Sequence, residues 1–516
     1  MQSFFEWYES GKIDPAKTWL ILGKGPSYSK RHAFDLSEFN LLSLNHVVRE
    51  QPVAAAHIID YDVVNACADT LERHAGVVVM PWVPHVECER GERNLGELLA
   101  ENETLQRMDR QGRLVWYNLH VHGYDPQARD FLHLDSPPVT IRYFSAEAAV
   151  NLLVQAGARS IRTLGVDGGT TYSRMFDDLK GTTLLSNSHH SFDKQFREIS
   201  RTIMKTGIDY APLDVEGNTP VRVYVGSLEA QMLPVKVLEY SIRKHTDLPT
   251  EVFPMHCSDI TFPMPREPEN RPRTPFSFQR FFIPALAGYK GRAIYMDSDM
   301  QVFQNIRHLW TQPFNGAELL AVKGDTYSDR RPQFSVMLLD CDKLRWNTTE
   351  IVEQLDSGEL TYEQLMFEMK VAKEVRAGIP PEWNSLEHYE DGKTALLHYT
   401  DMHTQPWMSC DNKWGYLWMR DLFEAIDDGF ITVDYVREQI RRGHVRPSLL
   451  HQVERRIEDS TRLGRARLTD RYFRPPADTM YEQKNLRTMI RDQLNIGLMR
   501  FIQLYNGVAA KKSAPR

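Results

Sequence analysis

Six short apolar runs recur between residues 18 and 168: TWLILG, LLSLN, AAAHIID, GVVVMPW, RLVWYNL and SIRTLGVDG. Most stop at Gly, Asn or Asp, and several alternate with helical patterns. Runs of this length bounded by turn residues read as strands, and strand–helix alternation predicts a parallel sheet with helical crossovers. The clearest of the helices is SAEAAVNLLVQAG, with Ser145 read as its N-cap and Gly157 just past its end. A chain written this way is an α/β protein.

The alternation pauses at DVEGNTPVRVYVG and then resumes. A strand in VRVYVG is followed by a helix in MLPVKVLEYSIRKHT, a strand in TEVFPM, a helix in FSFQRFFIPALAG and a strand in RAIYMDSD. The Pro- and charge-rich FPMPREPENRPRTPF between them reads as a surface loop. With 516 residues, more than one core is expected. The predicted domains are 1–215, 220–415 and 416–516: two Rossmann-like α/β domains in tandem and a helical, basic C-terminal extension.

Charge narrows the partners. The chain carries −7 overall, which argues against nucleic acid. Residues 437–516 nevertheless hold 18 Lys and Arg against 8 Asp and Glu, so a basic tail follows an acidic body. A helix over about 481–505 places Leu486, Met489, Ile490, Leu494, Leu498, Phe501, Ile502 and Tyr505 on one stripe, with Arg487, Arg491 and Arg500 outside it. Such a helix suits packing on the body, a partner in a homo-oligomer, or peripheral contact with a membrane. The five cysteines are scattered without a C-x-x-C pair, and the N-terminus shows no secretory pattern. Both features predict a cytoplasmic protein.

Chemistry concentrates in AIYMDSDMQVF, residues 293–303. An apolar run ends at Asp297, and Asp299 follows one residue later. Ligands of open α/β sheets bind beyond the carboxyl ends of strands. Two carboxylates at such an end supply half a site for a hard divalent cation, Mn²⁺ or Mg²⁺, which often shares its other positions with substrate phosphates. About a hundred residues on, ALLHYTDMHTQPW ends another apolar run at His398, and an imidazole suits Mn²⁺ as a third ligand. His403 is a rival for that role.

Together these segments resemble the family-8 glycosyltransferases, the group of glycogenin and the bacterial lipopolysaccharide galactosyl- and glucosyltransferases. IYMDSDM resembles the D-x-D that ends a strand in that family, and HYTDMHTQPW resembles its H-x-x-G-x-x-K-P-W segment. The resemblance covers about 221–414. It implies a GT-A type fold, a nucleotide-sugar donor, a UDP-sugar above others, and a manganese ion held by Asp297, Asp299 and His398. It implies that Arg280, in FSFQRFFIPAL, faces the donor, and that Glu363 and Gln364, in YEQLMF, sit near the reacting sugar as the catalytic pair. Transfer would retain anomeric configuration and serve a glycan or lipid-linked acceptor of a surface polysaccharide. The chain departs from the family where Gln405 replaces the lysine that contacts the diphosphate, where Gln333 replaces an asparagine, and where Leu365 replaces a second acid.

At the start of the chain, WLILGKGPSYS is a strand entering a glycine turn. Turns of this kind cradle phosphate through backbone N–H groups. This section resembles the bacterial family-42 sialyltransferases and the related domain of motility accessory factors. The resemblance implies nucleotide contacts from Gly23, Gly25, Ser27 and Asn45, and a late catalytic histidine for which His189 and His190 are candidates. Three readings follow: a single metal-dependent glycosyltransferase, a bifunctional one with a second active site in the first domain, or an inactive carbohydrate- or nucleotide-binding scaffold.

Overall fold

In the computed structural model the described residues are 1–476, apart from 88, 123–132, 134–135, 143, 181–190, 219, 259, 275 and 323–333. His189, His190, Gln333 and the 481–505 stripe therefore lie outside the described residues. The chain forms two compact units, Met1–Val221 with Arg243–Thr250, and Arg222–Ile242 with the chain from Glu251 onward.

The first unit is built on eight strands: β1 (Gln2–Ser3), β2 (Trp19–Leu22), β3 (Asn40–Leu44), β4 (Val53–His57), β5 (Ala75–Pro81), β6 (Leu114–Tyr117), β7 (Ser160–Leu164) and β8 (Asp209–Pro212). They pair in the order β1-β6-β5-β4-β3-β2-β7-β8, and every pairing is parallel. Alternate residues of the inner strands enter different cores. Trp19 and Ile21 of β2 join one cluster, and Leu20 and Leu22 join the other. A sheet buried on both faces needs uninterrupted apolar strands, which is why these runs lack polar alternation. The Ser145–Gln155 helix begins one residue earlier than predicted, since Phe144 and not Ser145 occupies the N-cap, where it makes no side-chain cap bond.

Neighbouring strands β2 and β7 send the chain in opposite directions along the sheet, β2 toward β3 and β7 toward β8. This is a topological switch point, the place at the carboxyl edge where ligands of open α/β sheets generally bind. The predicted glycine turn follows β2.

Among the described residues the second unit has nine strands: β9 (Val221–Gly226), β10 (Thr250–Pro254), β11 (Arg292–Asp297), β12 (Met300–Val302), β13 (Leu319–Val322), β14 (Val336–Asp340), β15 (Val375–Ile379), β16 (Ser385–Leu386) and β17 (Leu396–His398). Six form a sheet in the order β10-β9-β11-β14-β13-β15. It is mixed: β9 and β11 are parallel, while β14 runs antiparallel to both β11 and β13. A doubly wound parallel sheet is thus found in the first unit alone. The remaining three strands make a small separate sheet, β12-β17-β16.

The segment expected to form one helix from FSFQRFFIPALAG is instead a 3₁₀ turn, Gln279–Phe282, and one helical turn, Ile283–Leu286. Pro284 sits near the start of that turn, where a missing N–H costs nothing. The helices Gly415–Asp427, Val433–Arg441 and Ser448–Arg455 pack into the second unit. Leu417, Trp418, Leu422, Val436 and Leu449 share one core with Leu233, Val237 and Tyr240 of the Met232–Lys244 helix. No helix of the described residues is long and apolar enough to cross a membrane.

Candidate functional site

The carboxyl end of β11 carries the site. Tyr224, Val225 and Gly226 of β9 lie beside Tyr295, Met296 and Asp297 in parallel register. Ser298 and Asp299 then form a turn into β12, which leaves the main sheet. Strand β12 pairs antiparallel with β17, with Met300 opposite His398. The Tyr399 N–H also donates to the Asp299 carbonyl at 2.8 Å. That ladder is why a histidine a hundred residues away reaches the carboxylates. The two aspartates do not converge by sharing a strand face, because Asp299 lies in the turn.

One ligand atom from each of Asp297, Asp299 and His398 falls within 4.8 Å of the others. His398 Nε2 stands 3.1 Å from Asp299 Oδ1, and both side chains are largely buried. Two carboxylate oxygens and one imidazole nitrogen suit a hard or borderline divalent cation. His403 is exposed and takes no part in the cluster.

Each ligand has a partner behind it. The Tyr295 hydroxyl donates to Asp297 Oδ1 at 2.6 Å and accepts from Arg280 at 3.1 Å. Arg280 itself lies 3.6 Å from Asp297 and also donates to the carbonyls of Ser277 (3.0 Å) and Phe334 (2.7 Å). It is only 6% exposed, so its guanidinium supports Asp297 from within the fold. Gln405 donates to Asp299 Oδ2 at 2.9 Å. Asn384 Oδ1 meets His398 Nδ1 at 3.0 Å, which directs Nε2 toward the aspartates.

The charges follow from this packing. Burial raises the Asp297 carboxyl above its ordinary value, with Arg280 opposing and Asp299 adding to the rise. Burial by itself disfavours the His398 imidazolium, yet the carboxylates of Asp299, Asp297 and Glu387 together outweigh it and the net shift is upward. Burial also holds the Tyr295 phenol protonated, its pKa raised well above normal, so it remains a donor.

The remaining predicted residues lie elsewhere. Gln364 is the third residue of the Tyr362–Met366 helix, and its carboxamide oxygen accepts from the Thr361 N–H at 3.0 Å. Thr361 Oγ1 accepts in return from the Gln364 N–H at 3.2 Å, completing a capping box. Glu363 is exposed and pairs with Arg273 at 3.5 Å. Among the described residues no hydrogen bond or ion pair joins Glu363 or Gln364 to the metal-type cluster.

In the first unit the structure gathers Gly23, Gly25 and Ser27 at the switch point. Their N–H groups are already used: Gly23 donates to the Leu164 carbonyl (2.8 Å), Gly25 to Gly165 (2.7 Å) and Ser27 to Asp167 (2.6 Å). The Ser27 hydroxyl donates to Asp167 at 2.6 Å and accepts from the Gly165 N–H at 2.7 Å. A Cβ on Gly23 would lie 2.3 Å from the Gly165 carbonyl oxygen. Glycine here lets two loops touch, and the turn does not present free N–H groups as a phosphate cradle would. Asn45, at φ 48°, takes the left-handed backbone that asparagine tolerates. Its carboxamide accepts from the Ile59 N–H at 3.1 Å and donates to Asp60 at 3.3 Å. Burial lifts the Asp60 carboxyl to about 6, against the pull of Lys24.

Sequence reasoning missed Tyr295, Asn384 and the contact from Gln405 to Asp299. Tyr295 had a signal: it stands two residues before Asp297 on one strand and so shares its face. Asn384 had none, since nothing in PEWNSL marks it.

Residues 233–369 match the family model of glycosyl transferase family 8. Asp297, Asp299 and Arg280 lie inside this match, and His398 and Gln405 lie beyond it. The chain therefore carries a glycosyltransferase domain in its second unit. It is similar to Protein CDI of Arabidopsis thaliana, at 26% identity over 232 residues, 40% of this chain and 87% of that protein. Among solved structures it is faintly similar to the glycosyltransferase GlyE of Streptococcus pneumoniae TIGR4, at 14% identity and a TM-score of 0.30. That likeness covers 39% of this chain, which spans 60% of the length of GlyE. A bifunctional glycosyltransferase, WbbM, is similar at 11% identity and a TM-score of 0.31, over 79% of this chain and 97% of its own.

Proposed function

We propose that this chain is a metal-dependent retaining glycosyltransferase that moves a sugar from a nucleotide-sugar, a UDP-sugar, to a glycan or glycolipid acceptor. The observation that carries this reading is the convergence of Asp297, Asp299 and His398, two of them inside the family-8 match. Asp297, Asp299 and His398 would hold Mn²⁺ or Mg²⁺. A cation bound there supplies a Lewis acid for the departing nucleoside diphosphate. Tyr295 and Arg280 keep the Asp297 carboxylate aimed outward, and burial keeps water from competing for it. Retention of configuration is taken from the family likeness, as is the nucleotide-sugar class. Glu363 and Gln364 remain candidates for the sugar-facing pair, with helix capping a sufficient explanation of Gln364.

The test is nucleotide-sugar turnover on the full chain. UDP-, GDP- and CMP-sugars are incubated with and without Mn²⁺, beside the Asp297→Ala/Asp299→Ala variant. Mn²⁺-dependent release of nucleoside diphosphate that disappears in the variant is expected. Release that persists in the variant would overturn the assignment of this site.

A second reading, a bifunctional enzyme with another nucleotide site in the first unit, draws support from the topological switch point between β2 and β7. CMP release from a CMP-sugar that survives in the double variant would favour it.

A further inference from the structure

Gln405 lies in the turn after β17, just short of the Pro406–Trp407 pair. Its backbone is tied on both sides: its N–H donates to the Asp401 carbonyl at 3.1 Å, and its carbonyl accepts from Met408 (2.8 Å) and Ser409 (2.9 Å). The side chain is 4% exposed. Its Nε2 reaches two acceptors, Asp299 Oδ2 at 2.9 Å and the Tyr399 carbonyl at 3.0 Å. Neither of these groups can donate, one being a carbonyl and the other a carboxylate, so the amide orientation is settled by chemistry. Both hydrogens of the amide are thereby used within the fold.

The other face of the same carboxylate meets His398 Nε2 through Oδ1. Asp299 is thus held at three points: its carbonyl by Tyr399, one carboxylate oxygen by Gln405, and the other beside the imidazole. A neutral amide orients the carboxylate without adding charge.

We infer that Gln405 is a positioning residue that fixes the Asp299 carboxylate for divalent-cation binding, and that it does not act as a contact to the donor diphosphate. The inference rests on reading Asp297, Asp299 and His398 as a cation site. Partners of this kind behind metal ligands are worth 10–100-fold in affinity, so Gln405→Met should weaken binding by about 10-fold or more. Methionine keeps the length and bulk of the side chain and removes the donor.

The experiment titrates Mn²⁺ into the full-length protein without nucleotide and follows free Mn²⁺ by electron paramagnetic resonance. Wild type, Gln405→Met and Tyr240→Phe are compared. Tyr240→Phe is the structural control: its hydroxyl donates to Asp428 Oδ2 at 2.8 Å, in the core of the same unit but away from the ligands. Weaker Mn²⁺ binding in Gln405→Met, with Tyr240→Phe like wild type, supports the inference. Equal loss in both variants, or unchanged Mn²⁺ affinity in Gln405→Met with weaker binding of a nucleoside diphosphate, overturns it. Absence of Mn²⁺ binding by folded wild-type protein would overturn the cation-site reading itself and this inference with it.

Discussion

Replacing Gly226 by alanine should damage the site from the neighbouring strand. An ideal Cβ at Gly226 lies 2.3 Å from the Tyr295 hydroxyl oxygen and 3.1 Å from its ring carbon Cζ. Tyr295 has nowhere to swing, being fully buried with the Arg280 guanidinium 4.4 Å above its ring. Gly226 has no positive φ, so alanine is sterically permitted by its own backbone. The cost therefore comes from contact. Overpacking a dense core costs about 1–3 kcal/mol. Displacing the phenol from Asp297 forfeits a hydrogen bond to a charged group, about 1.5–3 kcal/mol. Tyr295→Phe alone should lose only that second amount. In the double variant the new methyl occupies the space left by the hydroxyl, so its stability should match Tyr295→Phe. The deviation from additivity then equals the whole cost of Gly226→Ala, about 3–6 kcal/mol, well outside the few tenths expected of independent sites. Guanidinium unfolding of wild type, both single variants and the double variant measures this cycle. Simple additivity would refute the close contact between Gly226 and Tyr295, and with it the account of how Asp297 is held.

Three other outcomes follow from the packing. Asp60 has a folded pKa of about 6 against an ordinary 3.8, so the folded state holds its proton longer than the unfolded one. Wild-type stability should fall by about 3 kcal/mol as pH rises from 4 toward 7 on this account, and Asp60→Asn should lack that fall; parallel pH profiles of the two would contradict it. Gly23→Ala presses a methyl onto the Gly165 carbonyl, a backbone atom that cannot step aside. It should destabilise the first unit by about 2–3 kcal/mol, seen as a lower unfolding midpoint with Mn²⁺ binding of the second unit unchanged. Arg446 is buried and donates to the Pro406 carbonyl at 2.9 Å and to Ser448 and Gln452. Arg446→Ala should cost about 3–5 kcal/mol, read from the unfolding midpoint.

Much of the first unit was legible in its sequence because a parallel sheet buried on both faces must be written as unbroken apolar runs. The second sheet was less so: a strand pattern carries no sign of direction, and the antiparallel β14 emerges only from pairing. Asp297 was legible because a carboxylate closing an apolar strand is costly without a purpose. His398 became legible through the family likeness, since the β12–β17 ladder that delivers it is a long-range pairing that no local spacing reports. Gln364 shows a signal overlooked. Thr361 and Gln364 are spaced as a capping box, and that local pattern accounts for the glutamine. The glycines after β2 were visible as a turn, but the loop they press against lies about 140 residues away, so contact could not be told from phosphate binding.

The β12–β17 register also says where this chain can change length. Residues 303–395 leave and return to that ladder, so whole loops between them can grow or shrink while Met300 stays opposite His398. A single-residue insertion or deletion within β12 or β17 is another matter. It would shift the ladder by one and turn His398 to the opposite face, away from Asp299. Length variation among related chains should therefore be generous between these two strands and nearly forbidden inside them.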